Sequence, residues 1–360
     1  MRILHLSDIH LNDYNYEELR DFYLDALIKK LMNLTENKHI DIVAITGDLI
    51  DRGGFSLKEI LEKEELDSPY QIFEKEFIEP IARKLRIDKC NFLFIPGNHD
   101  IQENEINWFE EKKVFDYIKN NINDQTYLNK ILTDRSFETE KRIKLFKKFE
   151  KNFHLNNLKY HPTNFESIYS KKIEGVNVGF ILINDSWRCK SLKFSGECKK
   201  LFFGEIQLLN GLRKLENYKA EINICLMHHN MDDYLEKESI ERTLNKKNIS
   251  LILNGHYHEK EFSSLVKSNS NYISLRVGAG LNKHNERNHK FKPSFQLIDL
   301  NLKTSTLDEI KYFVYNYKEA EFEDISKDID FFKFLPKKLP NNSDSDLIKN
   351  LNLSKFNDYE

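Results

Sequence analysis

The sequence predicts an α/β fold, on three observations. Short apolar runs of strand length alternate with longer segments whose apolar residues recur at helical spacing. Ile3-Leu4-His5-Leu6, Ile42-Val43-Ala44-Ile45, Phe92-Leu93-Phe94-Ile95, Ile222 to Met227 and Leu251-Ile252-Leu253 read as buried strands. Each runs directly into a piece rich in Asp, Asn or His: Asp8-Ile9-His10, Gly47-Asp48, Gly97-Asn98-His99-Asp100, His228-His229 and Gly255-His256-Tyr257-His258. Ligands of α/β sheets bind just beyond the carboxyl ends of the strands, so these five endings point at one shared pocket.

Taken in order, the first 50 residues form a β-α-β unit. Leu19, Phe22, Tyr23, Ala26, Leu27, Leu31 and Leu34 make one apolar helical stripe before the strand Asp41–Thr46. Phe55 to Leu85 reads as charged helix, and Phe92–Ile95 returns to the sheet. Residues 101–172 are rich in Lys, Glu, Asn and aromatics, and Trp108, Phe109, Val114, Phe115, Tyr117 and Ile118 keep helical spacing. They read as a helical insertion, either a solvated elaboration with a small satellite core or a cap over the pocket. Val176–Asn184 resumes the sheet and Glu205–Leu215 is helical. Tyr272–Val277, Phe295–Leu300 and Ile310–Tyr317 form a late strand set, the last alternating as a half-exposed strand does. One domain is expected over 1–320, with a polar tail or linker over 321–360 that includes Pro336 to Ser343 and a short amphipathic piece at Leu347–Leu353.

Composition sets limits. The 360 residues suit one large α/β domain with insertions, and the 40% hydrophobic fraction supports a sizeable core. A 31% charged fraction and the lack of any ~20-residue apolar run argue against a membrane protein. Net charge is −3, so no global signature of nucleic-acid binding exists. The insertion does concentrate Lys112, Lys113, Lys119, Lys130, Lys141, Arg142, Lys144, Lys147, Lys148 and Lys151, interleaved with acids. The first candidate ligand comes at Asp8, so no removable leader is expected. Cys225 reads as a small buried apolar residue. Cys90 stands in no CxxC pair, and Cys189 and Cys198 read as free thiols, with a Cys189–Cys198 pair or metal binding the alternatives. A cytoplasmic protein is expected.

The candidate ligands number seven: Asp8, His10, Asp48, Asn98, His228, His256 and His258. Imidazole with carboxylate suits Mn²⁺, Fe, Zn²⁺, Co²⁺ or Ni²⁺ better than Ca²⁺ or Mg²⁺, which prefer oxygen shells. Seven donors exceed one open ion and fit two that share a bridging carboxylate. Two ions roughly 3.5–4 Å apart clamp the attacking and leaving oxygens of an in-line phosphoryl displacement, and a water between them is acidified to a hydroxide nucleophile.

These pieces resemble the calcineurin-like metallophosphoesterase family, whose pattern D-x-H, G-D, G-N-H-[DE], H, G-H-x-H is filled at every slot between residues 8 and 258. The resemblance implies a two-sheet β-sandwich flanked by helices. It implies one divalent transition-metal ion, most readily Mn²⁺, on Asp8, His10 and His258. A second would sit on Asn98, His228 and His256, with Asp48 bridging. It assigns His99 to charge stabilisation or protonation of the leaving oxygen and Asp100 to orienting His99 through its other ring nitrogen. The implied function is a two-metal phosphohydrolase, more narrowly a phosphodiesterase acting on a cyclic nucleotide or nucleic acid. The motifs are similar to both the cyclic-nucleotide phosphodiesterase and the DNA-repair nuclease branches. Asp100 is followed by Ile101, whereas phosphoprotein phosphatases usually carry Arg after a shorter G-N-H-E run. The alternatives are a DNA or RNA nuclease and a non-catalytic, metal-stabilised sensor or binding module with a protein partner or further domain.

Other polar residues carry weaker readings. His5 is a core or surface histidine, and His229 is a supporting group or a ligand in place of His228. Asp13, Asp51 and Arg52 neighbour ligands or stand solvated, and Asp185 faces the pocket or caps a turn. His284 and His289 lie in a polar loop, and His154 and His161 in the insertion carry no signal.

Overall fold

Alternate residues along each central strand face two different cores, and this sets the architecture. The computed structural model describes residues 1–121, 124–133, 141–189, 201–247, 249–257, 272–281 and 292–328. One sheet runs β12-β11-β10-β1-β2-β3, with β1 Arg2–Leu6, β2 Ile42–Thr46, β3 Phe92–Ile95, β10 Ser294–Asn301, β11 Thr306–Asn316 and β12 Glu321–Asp324. The other runs β4-β5-β6-β7-β8-β9, with β4 Tyr160–Pro162, β5 Ser167–Ile173, β6 Val176–Leu182, β7 Ile222–Leu226, β8 Ile249–Asn254 and β9 Ile273–Arg276. Each sheet is part parallel and part antiparallel. β1, β2 and β3 are parallel, as are β6 to β9. The late strands β10, β11 and β12 and the pairs β4–β5 and β5–β6 are antiparallel.

Ile3, Ile42, Ala44, Leu93 and Ile95 of one sheet share a core with Val178, Phe180, Leu182, Ile224, Leu226, Leu251 and Leu253 of the other. The intervening residues Leu4, Val43, Ile45, Phe92 and Phe94 face outward under the helical segments Leu24–Thr35, Pro69–Phe73, Glu74–Ile78 and Glu79–Leu85. Ile181, Cys225 and Ile252 face the opposite helical layer. Parallel strands covered on both faces need this unbroken apolar run. Each fully buried Ile, Leu or Phe contributes about 1.5–3 kcal/mol. The result is a two-sheet sandwich between helical layers.

The insertion departs from expectation in two ways. It is helical over Trp108–Asn121, Gln125–Thr133 and Lys144–Phe153, but its last part is the strand pair β4–β5. The segment Ser167 to Ile173 sets Ile168 and Tyr169 side by side among Ser and Lys, with no alternation to mark it as a strand. Among the described residues its helices also form no satellite core of their own. Val114, Ile118 and Ile131 join Trp187, Phe203 and Leu208 over the second sheet, while Phe146 and Phe149 join Tyr70 and Phe94 over the first. Phe149 stacks on both Tyr70 and Phe94 at 5.0 Å between ring centres.

The expected tail boundary also moves. Glu321–Asp324 pairs antiparallel with β11 as an edge strand, burying Phe322 between charged neighbours. Acidic residues on an edge strand suit its solvent side. The Pro336–Ser343 linker and Leu347–Leu353 lie outside the described residues. Among the described residues no helix is long and apolar enough to cross a membrane.

Candidate metal centre

The site lies where the parallel strands of both sheets end. β1 delivers Asp8 and His10, β2 Asp48, and β3 Asn98 and His99; β7 delivers His228 and His229, and β8 delivers His256. The loops are laced together by backbone hydrogen bonds: Asp8 N donates to Gly47 O at 3.0 Å, His10 N to Asp48 O at 2.8 Å and Gly255 N to His228 O at 3.1 Å. Sharp reversals follow the strands, so Asp8 (φ 54°), His10 (φ 49°), Asp48 (φ 54°) and His256 (φ 72°) all occupy the left-handed region. Non-glycine residues rarely adopt it, and such strain collects where function over-determines geometry. Gly97 and Gly255 permit the closest approaches. A Cβ on Gly97 would clash with Asp48 Oδ1, and one on Gly255 with Ser7 Oγ and Asp8 Oδ2.

Asp48 is the hub. Its Oδ2 lies 3.6 Å from His10 Nε2 and 3.4 Å from His228 Nε2, and its Oδ1 accepts from His99 N at 2.7 Å. Asp8 Oδ1 is 3.7 Å from His10 Nε2, and Asp8 Oδ2 accepts from His256 N at 3.0 Å. His228 Nδ1 donates to Thr46 O at 2.7 Å, while its Nε2 faces Asn98 Oδ1 at 3.1 Å. A carbonyl partner on Nδ1 fixes the tautomer and turns the Nε2 lone pair inward, the usual support for a metal-binding imidazole. Donors about 2.1 Å from a shared ion stand roughly 3–3.5 Å apart. The donor set of Asp8, His10, Asp48, Asn98 and His228 therefore fits divalent transition metals. Asp8, Asp48 and His228 have ligand atoms within 4.8 Å of one another, as do His228, His229 and His256. His258 lies outside the described residues.

Electrostatics follow the same layout. Burial pushes the Asp48 carboxyl up, but His228 and His10 beside it hold it well below the usual carboxylate range. Burial lowers the His228 imidazole, yet Asp48 outweighs it and lifts the group to about 9. His256 is pushed down to about 3 by burial, with His228 and His229 adding to the effect.

Asp100 does not take the expected role. Its two carboxylate oxygens accept from Gly97 N at 2.8 Å, Leu49 N at 3.2 Å, Ile50 N at 3.3 Å and the Tyr70 hydroxyl at 3.1 Å. The turn that starts at Gly97 folds the Asp100 side chain back onto the loop backbone, so it braces the Asp48 and Asn98 loops against each other. Asp51 meets His99 instead, Oδ1 to Nδ1 at 2.5 Å. Burial raises the Asp51 carboxyl, and the hydrogen bond from His99 more than reverses this. His99 itself packs edge-on against His10, ring centres 4.5 Å apart, and its side chain is 30% exposed.

Asp185, just beyond β6, faces the centre from below. Its Oδ2 accepts from His228 N at 2.9 Å, His229 N at 2.8 Å and the Tyr234 hydroxyl, which positions the His228-His229 pair. His229 turns away from Asp48, with Nε2 3.7 Å from Cys189 Sγ and Nδ1 3.4 Å from Asp185 Oδ2. His228 is therefore the histidine facing Asp48. The Asp185–Tyr234 support went unread for Tyr234, because nothing in sequence ties a tyrosine 49 residues away to that strand end. His5 is a core histidine between Thr46 Oγ1 and Gln296. Asp13 N donates to Ser56 Oγ at 3.3 Å in the exposed loop after His10. Cys225 is buried as expected, and Cys90 and Cys189 are free thiols. Cys198, His284 and His289 lie outside the described residues.

Comparison with known proteins agrees with the motifs. Residues 1–260 match the family model for calcineurin-like phosphoesterase. A curated relative, an uncharacterized metallophosphoesterase-like protein of Bacillus subtilis named YydB, is 24% identical over 323 residues, 88% of this chain. The chain spans 60% of that relative's length. Solved structures similar to it include a calcineurin-like phosphoesterase, YfkN, from Bacillus subtilis (13% identity, 91% of this chain and 88% of that one, TM-score 0.40). A NAD nucleotidase of Haemophilus influenzae is also similar (13% identity, 99% and 60% covered, TM-score 0.40). With the family model covering most of its length, the chain belongs to the calcineurin-like phosphoesterases, a family that uses divalent metal ions in a binuclear site.

Proposed function

We propose that the chain is a two-metal phosphodiesterase that hydrolyses phosphodiester bonds, with Mn²⁺ the first ion to test. The observation that carries this is the Asp48 carboxylate set between His10 Nε2 and His228 Nε2 at 3.6 and 3.4 Å, a bridging position. Asp8 gathers with Asp48 and His228, Asn98 Oδ1 faces His228 Nε2, and His256 sits beside His228 with ring centres 5.1 Å apart. Two bound divalent ions supply Lewis acidity to the phosphoryl oxygens and lower the pKa of water. The protein's own residues do the rest. His99 Nδ1 is held by Asp51, so Nε2 is the working nitrogen on the partly exposed ring. There the ring donates a proton or hydrogen bond to the leaving oxygen, and the Asp51 carboxylate stabilises the charged ring that does so. Asp185 and Thr46 O hold His228 in its working orientation. A reducing, cytoplasmic setting belongs to the same reading, supported by the free thiols of Cys90, Cys189 and Cys225.

The test compares bis(p-nitrophenyl) phosphate with p-nitrophenyl phosphate, using pure Mn²⁺-loaded protein. Faster hydrolysis of the diester is expected. Robust monoester turnover with no diester turnover would sink the phosphodiesterase reading.

A further inference from the structure

A buried ionic cluster joins the insertion to the chain behind the metal centre. Glu111, in the helix Trp108–Asn121, pairs through Oε1 with Arg142 and through Oε2 with Arg188, and all three residues are buried. Arg142 lies in the short turn Lys141–Ile143, and Arg188 stands three residues past Asp185. Taking charged groups out of water adds little to stability, because the desolvation penalty offsets much of their attraction. What a guanidinium supplies is direction, since its planar fork bonds several partners in one geometry.

Arg142 reaches two loops at once. Its Nη1 donates to Cys189 O at 3.0 Å, and its carbonyl accepts from Gln102 N at 2.9 Å. Gln102 follows the Asn98-His99-Asp100 run beyond β3 of the first sheet, whereas Cys189 ends the turn beyond β6 of the second. Cys189 N donates to Ser186 O at 2.9 Å and closes that turn. The turn meets the centre in two places. Asp185 at its start holds the backbone N–H groups of His228 and His229 at 2.9 and 2.8 Å. Ser186 Oγ donates to Pro96 O at 3.2 Å, one residue before Gly97. One cluster therefore stands behind candidate ligands of both sheets, Asn98 from the first and His228 from the second. Trp187 Nε1 donates to Phe203 O at 3.2 Å and gives the turn a separate anchor, so cutting the cluster displaces the turn without freeing it.

We propose that Glu111, Arg142 and Arg188 are positioning residues of the metal centre, through which the insertion sets the spacing between the Asn98 and His228 loops. This rests on the two-metal reading of the centre and is independent of diester specificity. Donors must be held within roughly 0.5 Å of their places for a site to work, so a small shift of either loop is felt as lost metal affinity.

The test is calorimetry of Mn²⁺ binding to the full metal-free chain, with the melting midpoint of the same metal-free chain beside it. Arg142→Lys keeps the charge but loses the fork, so it cannot hold Glu111 and Cys189 O together. Glu111→Gln keeps the shape and loses the charge. Each is expected to weaken Mn²⁺ binding about 10–100-fold, the loss typical when groups that support metal ligands are removed. Lys147→Gln is the control. Among the described residues Lys147 bonds to Glu150, Phe165 O and Ser167 Oγ, a buried pairing of the same insertion outside this path. Its loss should lower the melting midpoint and leave Mn²⁺ affinity unchanged.

Cluster variants that bind Mn²⁺ as tightly as the wild-type chain overturn the proposal and leave the two-metal reading standing. So does a Lys147→Gln chain that loses as much affinity as they do, since general loosening then explains all three. If one cluster variant fails to fold, the other decides; failure of both makes the cluster structural only and overturns the proposal. A wild-type chain that binds no Mn²⁺ removes the two-metal reading itself, and the positioning role falls with it.

Discussion

Asp51 shows how much the pairing of one imidazole matters. Both Asp51 and Asp100 are close in sequence to strand ends that carry ligands, and His99 is adjacent to Asp100, so proximity along the chain favours the wrong carboxylate. The turn after Gly97 decides otherwise by directing Asp100 onto Gly97 N, Leu49 N and Ile50 N. The residues gathered around Asp48 were legible because each follows a strand directly. The orienting carboxylate was not, because a loop's φ and ψ angles select it. Asp51→Asn removes the charge that steadies the protonated ring. We expect kcat to fall about 10–100-fold, the size seen when supporting groups of a site are lost. The loss should be larger for diesters with poor leaving groups than for p-nitrophenyl esters, since a good leaving group needs little proton assistance. Equal losses across leaving groups would make Asp51 a structural residue only.

Among the elements, the strands that end in ligands were the clearest to read, since both their faces are apolar. β4, β5 and β12 were not: β4 is only Tyr160-His161-Pro162, β5 buries Ser167 and Ser170 beside Ile168 and Tyr169, and β12 holds a single apolar residue, Phe322. The loop before His99 carries the sharpest prediction. Gly97→Ala would drive a methyl group into Asp48 Oδ1 and the Asp48 amide. The hub carboxylate must shift, so Mn²⁺ affinity measured by calorimetry is expected to drop at least tenfold. The melting midpoint of the chelator-treated chain should move far less. Unchanged affinity would mean the loop has slack that the geometry does not suggest.

Across the whole molecule, convergence on a pocket was legible, but the division of the strands between two sheets was not. Parallel ends in one sheet or two would yield the same motif order, and only the family resemblance pointed to a sandwich. Stability is also a whole-molecule property. His5 and His154 are each pushed by burial down to about 3. Their folded pKa values lie below the unfolded value near 6.5, so the unfolded chain binds more protons between those limits and stability falls as the pH drops through them. Each histidine contributes a slope of about 1.4 kcal/mol per pH unit there. His154, stacked on Tyr160 at 3.7 Å, can be replaced by Phe with its ring contacts kept. Denaturant unfolding of His154→Phe between about pH 6 and pH 4 should lose stability less steeply by that amount; an unchanged slope would show that His154 protonates while folded.

The central claim is that Asp48 joins two ions whose presence creates the phosphodiesterase. The most direct test is the initial rate of bis(p-nitrophenyl) phosphate hydrolysis as Mn²⁺ is added to metal-free protein, followed per equivalent bound, beside Asp48→Ala. The rate is expected to rise only as the second equivalent binds, with none in Asp48→Ala at any Mn²⁺ level. Full activity with one ion bound, or hydrolysis that survives the loss of Asp48, would contradict it.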